Sequence, residues 1–235
     1  MTVGSADRRS VNSDLLLPYF APYAVYVLIA NLAESIPREL DYGLRIVVVG
    51  ALLLFFRRRY QPIRGPRSVA GSVLTGIVAG IIGVLLWIAL LLPFTDPKAG
   101  EPVTLSSFFL RVIAAATVVA FAEELLCRGY ILGVLTQWQK ARNAGVKQAF
   151  TRTLDHESVQ AITPGAATLL AVVISSAAFA AGHTPSQWLA AWGYGALMAG
   201  LWVLRKDLIT PITAHAVTNL VLYIYIWRSG SWGLW

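Results

Sequence analysis

The stretch AFAEELLCRGYILG, residues 120–133, places two adjacent glutamates and an arginine inside an apolar run that extends from 105 to 135. A bilayer core takes about 20 apolar residues as helix. Each charge buried there costs about 2.5–3.5 kcal/mol on insertion scales, so three together need a structural or a chemical reason. On a helix, Glu124 and Arg128 stand four residues apart and share a face, where they can pair. Glu123 points about 100° away and is left without a local partner. A carboxylate kept from water and unpaired suits general-base chemistry. The bland reading of the same hexapeptide, EELLCR, is a polar knot that holds helices together.

Apolar runs recur on both sides of this one, at about 15–33, 42–56, 69–94, 165–183, 187–204 and 208–227. With the run at 105–135 they give seven candidate spans, or eight if that long run is broken. The expected fold is therefore all-α, a polytopic integral membrane bundle of seven or eight transmembrane helices forming one continuous membrane domain. Composition agrees: 57 % of the 235 residues are hydrophobic and only 13 % charged, with a mean hydropathy of +0.63, whereas a soluble domain is about 45–50 % apolar and about 25 % charged. Gly71, Gly76, Gly80 and Gly83 in the third run are small residues of the kind that let membrane helices approach closely. The polar segment MTVGSADRRSVNSD before the first run, and the poor cleavage site after it, favour an uncleaved first helix over a signal peptide.

The net charge of +7 is carried by arginines and lysines between apolar runs, which reads as membrane orientation, not as a nucleic-acid surface. The loop RRRYQPIRGPR (57–67), with five arginines, is expected inside, together with Arg8 and Arg9, the loop 137–164 and RKD at 205–207. The loops ESIPRELD and TDPKAGEPVT and the C-terminus, with the interfacial tryptophans of WRSGSWGLW, are expected outside. This predicts a cytoplasmic N-terminus in the inner membrane of a bacterium. One cysteine, Cys127, excludes an intrachain disulfide.

Besides Glu123, Glu124 and Arg128, the polar residues inside apolar runs are His183, His215 and Asn219. Phe179 and His183 in FAAGH are spaced i, i+4, as are His215 and Asn219 in HAVTN. Alone, each pair reads as interfacial or as helix-to-helix hydrogen bonding. Taken together, three helices offer a carboxylate, two imidazoles and an amide to one cavity, which suffices to activate a water and stabilise a tetrahedral intermediate of acyl-bond hydrolysis. The third histidine, His156, lies in the long polar loop.

The ordered trio EExxxR, FxxxH and HxxxN on successive membrane helices resembles the CAAX prenyl protease and bacteriocin-processing (Abi) family. The resemblance covers about residues 105–225, so 105–235 is expected to be the catalytic core and 1–104 to supply about three membrane helices without assigned chemistry. The layout of that N-terminal part is similar to members found near exosortase protein-sorting systems. The resemblance implies a glutamate-type intramembrane endopeptidase. Glu123 would deprotonate the water, His183 would help hold it, His215 and Asn219 would form the oxyanion site, and Glu124 with Arg128 would order the first helix. It implies a membrane-anchored protein or peptide as substrate and exosortase-type protein-sorting machinery as a further partner, while the charge pattern leaves no nucleic-acid partner. No cofactor is expected. A zinc ion, if bound, would take Glu123, His183 and His215, yet there is no HExxH and the ligands would come from three helices.

Two rival readings use the same residues. A scaffold or immunity protein would use the polar cluster structurally, and a transporter would relay protons through it but should show an inverted repeat, which is absent. Counting along the helices places His183 near the outer end of its span and His215 nearer the inner end of its own. A shared cavity then requires a broken or shifted helix, for which Gly182 and Pro185 are suited. Cys127, Trp188, Trp192, Tyr194 and Trp202 read as packing or interface residues. Arg111 reads as a snorkelling side chain, and Asn31 as a residue that could cap or bind.

Overall fold

Every apolar run becomes helix in the computed structural model, which describes residues 10–32 and 35–234; among them there is no strand. The basic N-terminal pair Arg8 and Arg9, expected inside, lies outside the described residues. Helix α1 is Asn12–Ala30, α2 covers 38–55, α3 is Val69–Leu91 and α4 is Leu105–Asn143. A short α5, Ala149–His156, lies within the polar loop. It is followed by α6, Leu169–Ala181, α7, Trp188–Arg205, and α8, Ile209–Ser229. Four helices are long and apolar enough to cross a membrane by length and composition: α1, α3 with its extension to Phe94, α4 and α8. The seven or eight spans expected from the sequence are thus supported for four runs. The long fourth run is not broken into two; it is one helix of 39 residues containing two wider π turns, Ala115–Val119 and Leu125–Ile131.

The helix starts are set by short polar side chains. Ser68 accepts from Gly71 N, Thr104 from Ser107 N, Thr168 from Ala171 N and Asp207 from Thr210 N, which satisfies backbone donors that a first turn leaves open. Pro22 inside α1 lacks the N–H that would bond the carbonyl of Pro18, and the Tyr60 hydroxyl donates to that carbonyl instead at 3.2 Å. Gly230, with φ of +64°, ends α8.

Helices α3 and α8 run side by side in the same direction, with Gly76 against Thr210 and Thr213, Gly80 against Ala214 and Val217, and Gly83 against Thr218. Three of the four glycines noted in the sequence therefore serve this one contact, while Gly71 faces Arg205 of α7. A Cβ on Gly80 would lie 2.7 Å from the Ala214 carbonyl oxygen. Gly80→Val is expected to lower stability by about 1–3 kcal/mol, the usual cost of overpacking, read as a fall in the unfolding midpoint in detergent; an unchanged midpoint would mean that the two helices are free to part.

The bundle has two chemically different ends. At one, Asn12 at the start of α1 donates to Gln137 Oε1 and to the Thr153 carbonyl and accepts from Val159 N, Gln160 donates to the Arg59 carbonyl, and Ser72 donates to Asp207. This end gathers the loops 56–68 and 144–168 and the α7–α8 turn. At the other, Lys98 donates to the Ser229 carbonyl, Gly233 N to the Pro97 carbonyl, and Glu39 accepts from the hydroxyls of Thr104, Ser106 and Ser107. Those three hydroxyls hold the Glu39 carboxyl down at about 2, below its ordinary value of 4.5.

Candidate active site

The charged hexapeptide lies in the middle of α4, facing the interior. Glu124 and Arg128 are completely enclosed, and their side chains meet at 3.0 Å. The second guanidinium nitrogen of Arg128 donates to the Gly195 carbonyl of α7 at 2.8 Å, and its Cζ lies 4.9 Å from the centre of the Phe179 ring of α6. The expected pair is thus a tie among three helices. Gly195 lets α7 come this near, since a Cβ there would lie 3.0 Å from Ser176 Cα on α6.

His215 of α8 completes the tie. Its Nδ1 is 2.8 Å from the same Glu124 Oε1 that receives Arg128. A carboxylate accepts, so Nδ1–H donates, and Nε2 is left facing Glu123 Oε2 at 3.6 Å. That distance is too long for a hydrogen bond but makes the two groups immediate neighbours. Glu123, which has no partner within its own helix turn, therefore faces His215 across the site, and Glu124 accepts from two side chains, not one. The π turn Leu125–Ile131 lies between Glu124 and the rest of α4 and carries Arg128; such turns recur at functional sites.

Asn219, one turn after His215, donates its amide to the Ala115 carbonyl of α4 at 2.9 Å, leaving a second amide hydrogen. His183 stands just beyond α6, in the turn 182–187. Its Nδ1 is 3.0 Å from the Phe179 carbonyl, which can only accept, so Nε2 is the nitrogen left for other work. Phe179 packs on His183 at 4.9 Å and on His215 at 5.8 Å between ring centres. The i, i+4 spacing in FAAGH is therefore a pair of rings in tilted contact, whose phenyl ring also covers Arg128. The mismatch in depth between the two histidines is resolved by the length of α6. This helix begins at Leu169, four residues later than expected, and has 13 residues, about 20 Å at the helical rise. The Trp87 ring of α3 lies 5.4 Å from His183.

Glu123, His183, His215 and Asn219 all line one cavity of about 230 Å³, with Glu124 and Arg128 behind its floor. Tyr194, read from the sequence as a packing aromatic, is buried and also forms its wall, 5.6 Å from His215. Trp202 is buried and Trp188 and Trp192 are exposed. Cys127 is buried packing, as expected. Arg111 is a site-wall residue that the sequence reading missed. It donates to the hydroxyls of Tyr223 and Tyr42 and lines the cavity instead of reaching outward. The reason is local. At 100° per residue, Arg111 and Glu123 would stand about 120° apart on α4, but the π turn Ala115–Val119 lies between them and underwinds the helix. Arg111, Ala115, Val119 and Glu123 consequently form one stripe along the wall.

Among the described residues, no group of three His, Cys, Asp or Glu side chains is placed to hold a metal ion. Glu123, His183 and His215 do not form such a group, although His215 and His183 each turn Nδ1 onto an acceptor and keep Nε2 free.

The family described as type II CAAX prenyl endopeptidase Rce1-like matches residues 105–221, just under half of the chain and the part that holds all six residues of the cluster. No curated protein and no solved structure matches the chain significantly.

Proposed function

Because residues 105–221 belong to the Rce1-like family of type II CAAX prenyl endopeptidases, we propose that this helical membrane protein hydrolyses a peptide bond of a membrane-anchored substrate, with Glu123 as general base. The observation that carries the reading is the facing of Glu123 and His215 across 3.6 Å in a cavity that His183 and Asn219 also line.

Glu123 takes a proton from a water whose oxygen attacks the scissile carbonyl carbon. His183 Nε2 accepts the other hydrogen of that water and fixes its position. Charge develops on the carbonyl oxygen, where preorganised donors matter most. The free amide hydrogen of Asn219 is one donor. His215 Nε2 is the other once the ring holds a second proton, a form that Glu124 behind Nδ1 stabilises, as the buried carboxylate does in a Ser-His-Asp triad. The proton held by Glu123 passes to the leaving nitrogen as the C–N bond breaks. No metal takes part in this scheme.

The three-helix tie through Arg128 favours a second reading, a scaffold that uses the cluster only to hold helices together. The two separate when the purified chain, in detergent, is given a mixed panel of lipid-tailed and transmembrane-tailed peptides read by mass spectrometry. Internal cleavage is expected; an uncut panel with a folded protein would favour the scaffold.

A further inference from the structure

The residues that line the cavity reach one end of the bundle only. Its floor is Glu123 and His215, and its rim is Arg111 of α4, Thr184 and Gln187 of the α6–α7 turn, and Leu234 after α8. All four rim residues belong to the end where Lys98 meets Ser229 and Glu39 meets the start of α4. None of the lining residues comes from the loops 56–68 or 144–168 or from the α7–α8 turn.

Charge divides the same two ends. The closed end carries Arg57, Arg58, Arg59, Arg64 and Arg67 in one loop. Lys140, Arg142, Lys147 and Arg152 follow in and beside another, and Arg205 and Lys206 in a third. The open end has Arg38, Lys98 and Arg228 among Glu39, Asp96 and Glu101. Lysines and arginines in short loops stay on the cytoplasmic side, so the closed end is the cytoplasmic one.

We infer that the catalytic cavity opens on the face of the membrane opposite the cytoplasm and receives a peptide segment presented from that side. The inference rests on the protease reading for the word catalytic, and on the fold and charge alone for the direction. Depth narrows the substrate class further. His215 lies six residues after Ile209 and fourteen before Ser229, so the floor is about 9 Å from the cytoplasmic end of α8 and about 21 Å from the other. A cavity of about 230 Å³ is too narrow for a helix, which is about 10–12 Å across with side chains. The substrate is therefore an extended segment that dips from the outer surface past Arg111 to the floor, next to its membrane anchor.

The test is labelling with a membrane-impermeant maleimide in cells that express the chain. Cys127 is the one cysteine and is buried, so Cys127→Ser gives a silent background. Thr184→Cys at the rim and Arg58→Cys at the opposite end, both exposed, report the two faces. Labelling of Thr184→Cys is expected in intact cells, whereas that of Arg58→Cys is expected to be lost there and to appear on permeabilisation. Lys98→Cys and Lys147→Cys, also exposed, form a second pair should either variant fail to fold. Arg58→Cys or Lys147→Cys reached from outside, or the rim cysteines reached only after permeabilisation, overturns the inference. Labelling needs no turnover, so an uncut peptide panel and a reversed labelling pattern are separate failures.

Discussion

Replacing Glu123 with glutamine is expected to slow peptide cleavage by about 10²–10⁴-fold, the usual contribution of a positioned general base. Glutamine keeps the size and shape of a side chain that is only 10 % exposed and can still lie against His215, but it cannot take a proton from water. The enclosed Glu124–Arg128 pair and its bond to Gly195 do not involve Glu123, so the unfolding midpoint of the variant in detergent is expected to stay near that of the parent chain. Initial rates on a peptide that the parent chain cuts, measured beside that midpoint, separate chemistry from folding. A rate that falls only as far as the folded fraction falls would make Glu123 structural.

Arg128→Leu is expected to have the largest effect on stability. It leaves the Glu124 carboxylate completely enclosed without its guanidinium, removes the donor to the Gly195 carbonyl, and takes the cation from the face of Phe179. Breaking one partner of a buried ion pair costs about 3–5 kcal/mol. Arg128→Lys is expected to recover only part of the loss, because a single ammonium lacks the planar fork that reaches Glu124 with one nitrogen and Gly195 with another. The measurement is denaturant or thermal unfolding of the purified variants. An unchanged midpoint for Arg128→Leu would contradict the tie.

The helices were legible in the sequence because membrane helices must satisfy every backbone group internally and so announce themselves as long apolar runs. The runs at 69–94, 105–135 and 208–227 correspond closely to α3, the first three-quarters of α4, and α8. The polar residues that meet at the floor were legible because so few polar residues occur in such runs. The i, i+4 rule located Glu124 with Arg128 and His215 with Asn219, since α8 is a regular helix throughout. What the sequence did not give follows from two irregularities. The π turn Ala115–Val119 rotates Arg111 onto the face of Glu123, which a count at 100° per residue cannot anticipate. The late start of α6 at Leu169 and its end at Ala181 bring His183 into the cavity, and an apolar run does not mark where a helix within it begins. The contact of His215 with Glu124 joins residues 91 positions apart, and no local pattern encodes it. Helix α5 was passed over because its eight residues carry too little apolar sequence to stand out from a polar loop.

The central claim is that Glu123, without a metal, activates the water that cuts the substrate. The most direct test incubates the purified chain and its Glu123→Gln variant, each before and after removal of metals by a chelator, with a peptide from the panel, and reads the fragments by mass spectrometry. The parent chain is expected to cut at one internal bond at the same rate with and without chelator, and the variant to leave the peptide intact. Cleavage that stops on chelation and returns with added zinc, or equal cleavage by the folded Glu123→Gln variant, would contradict it.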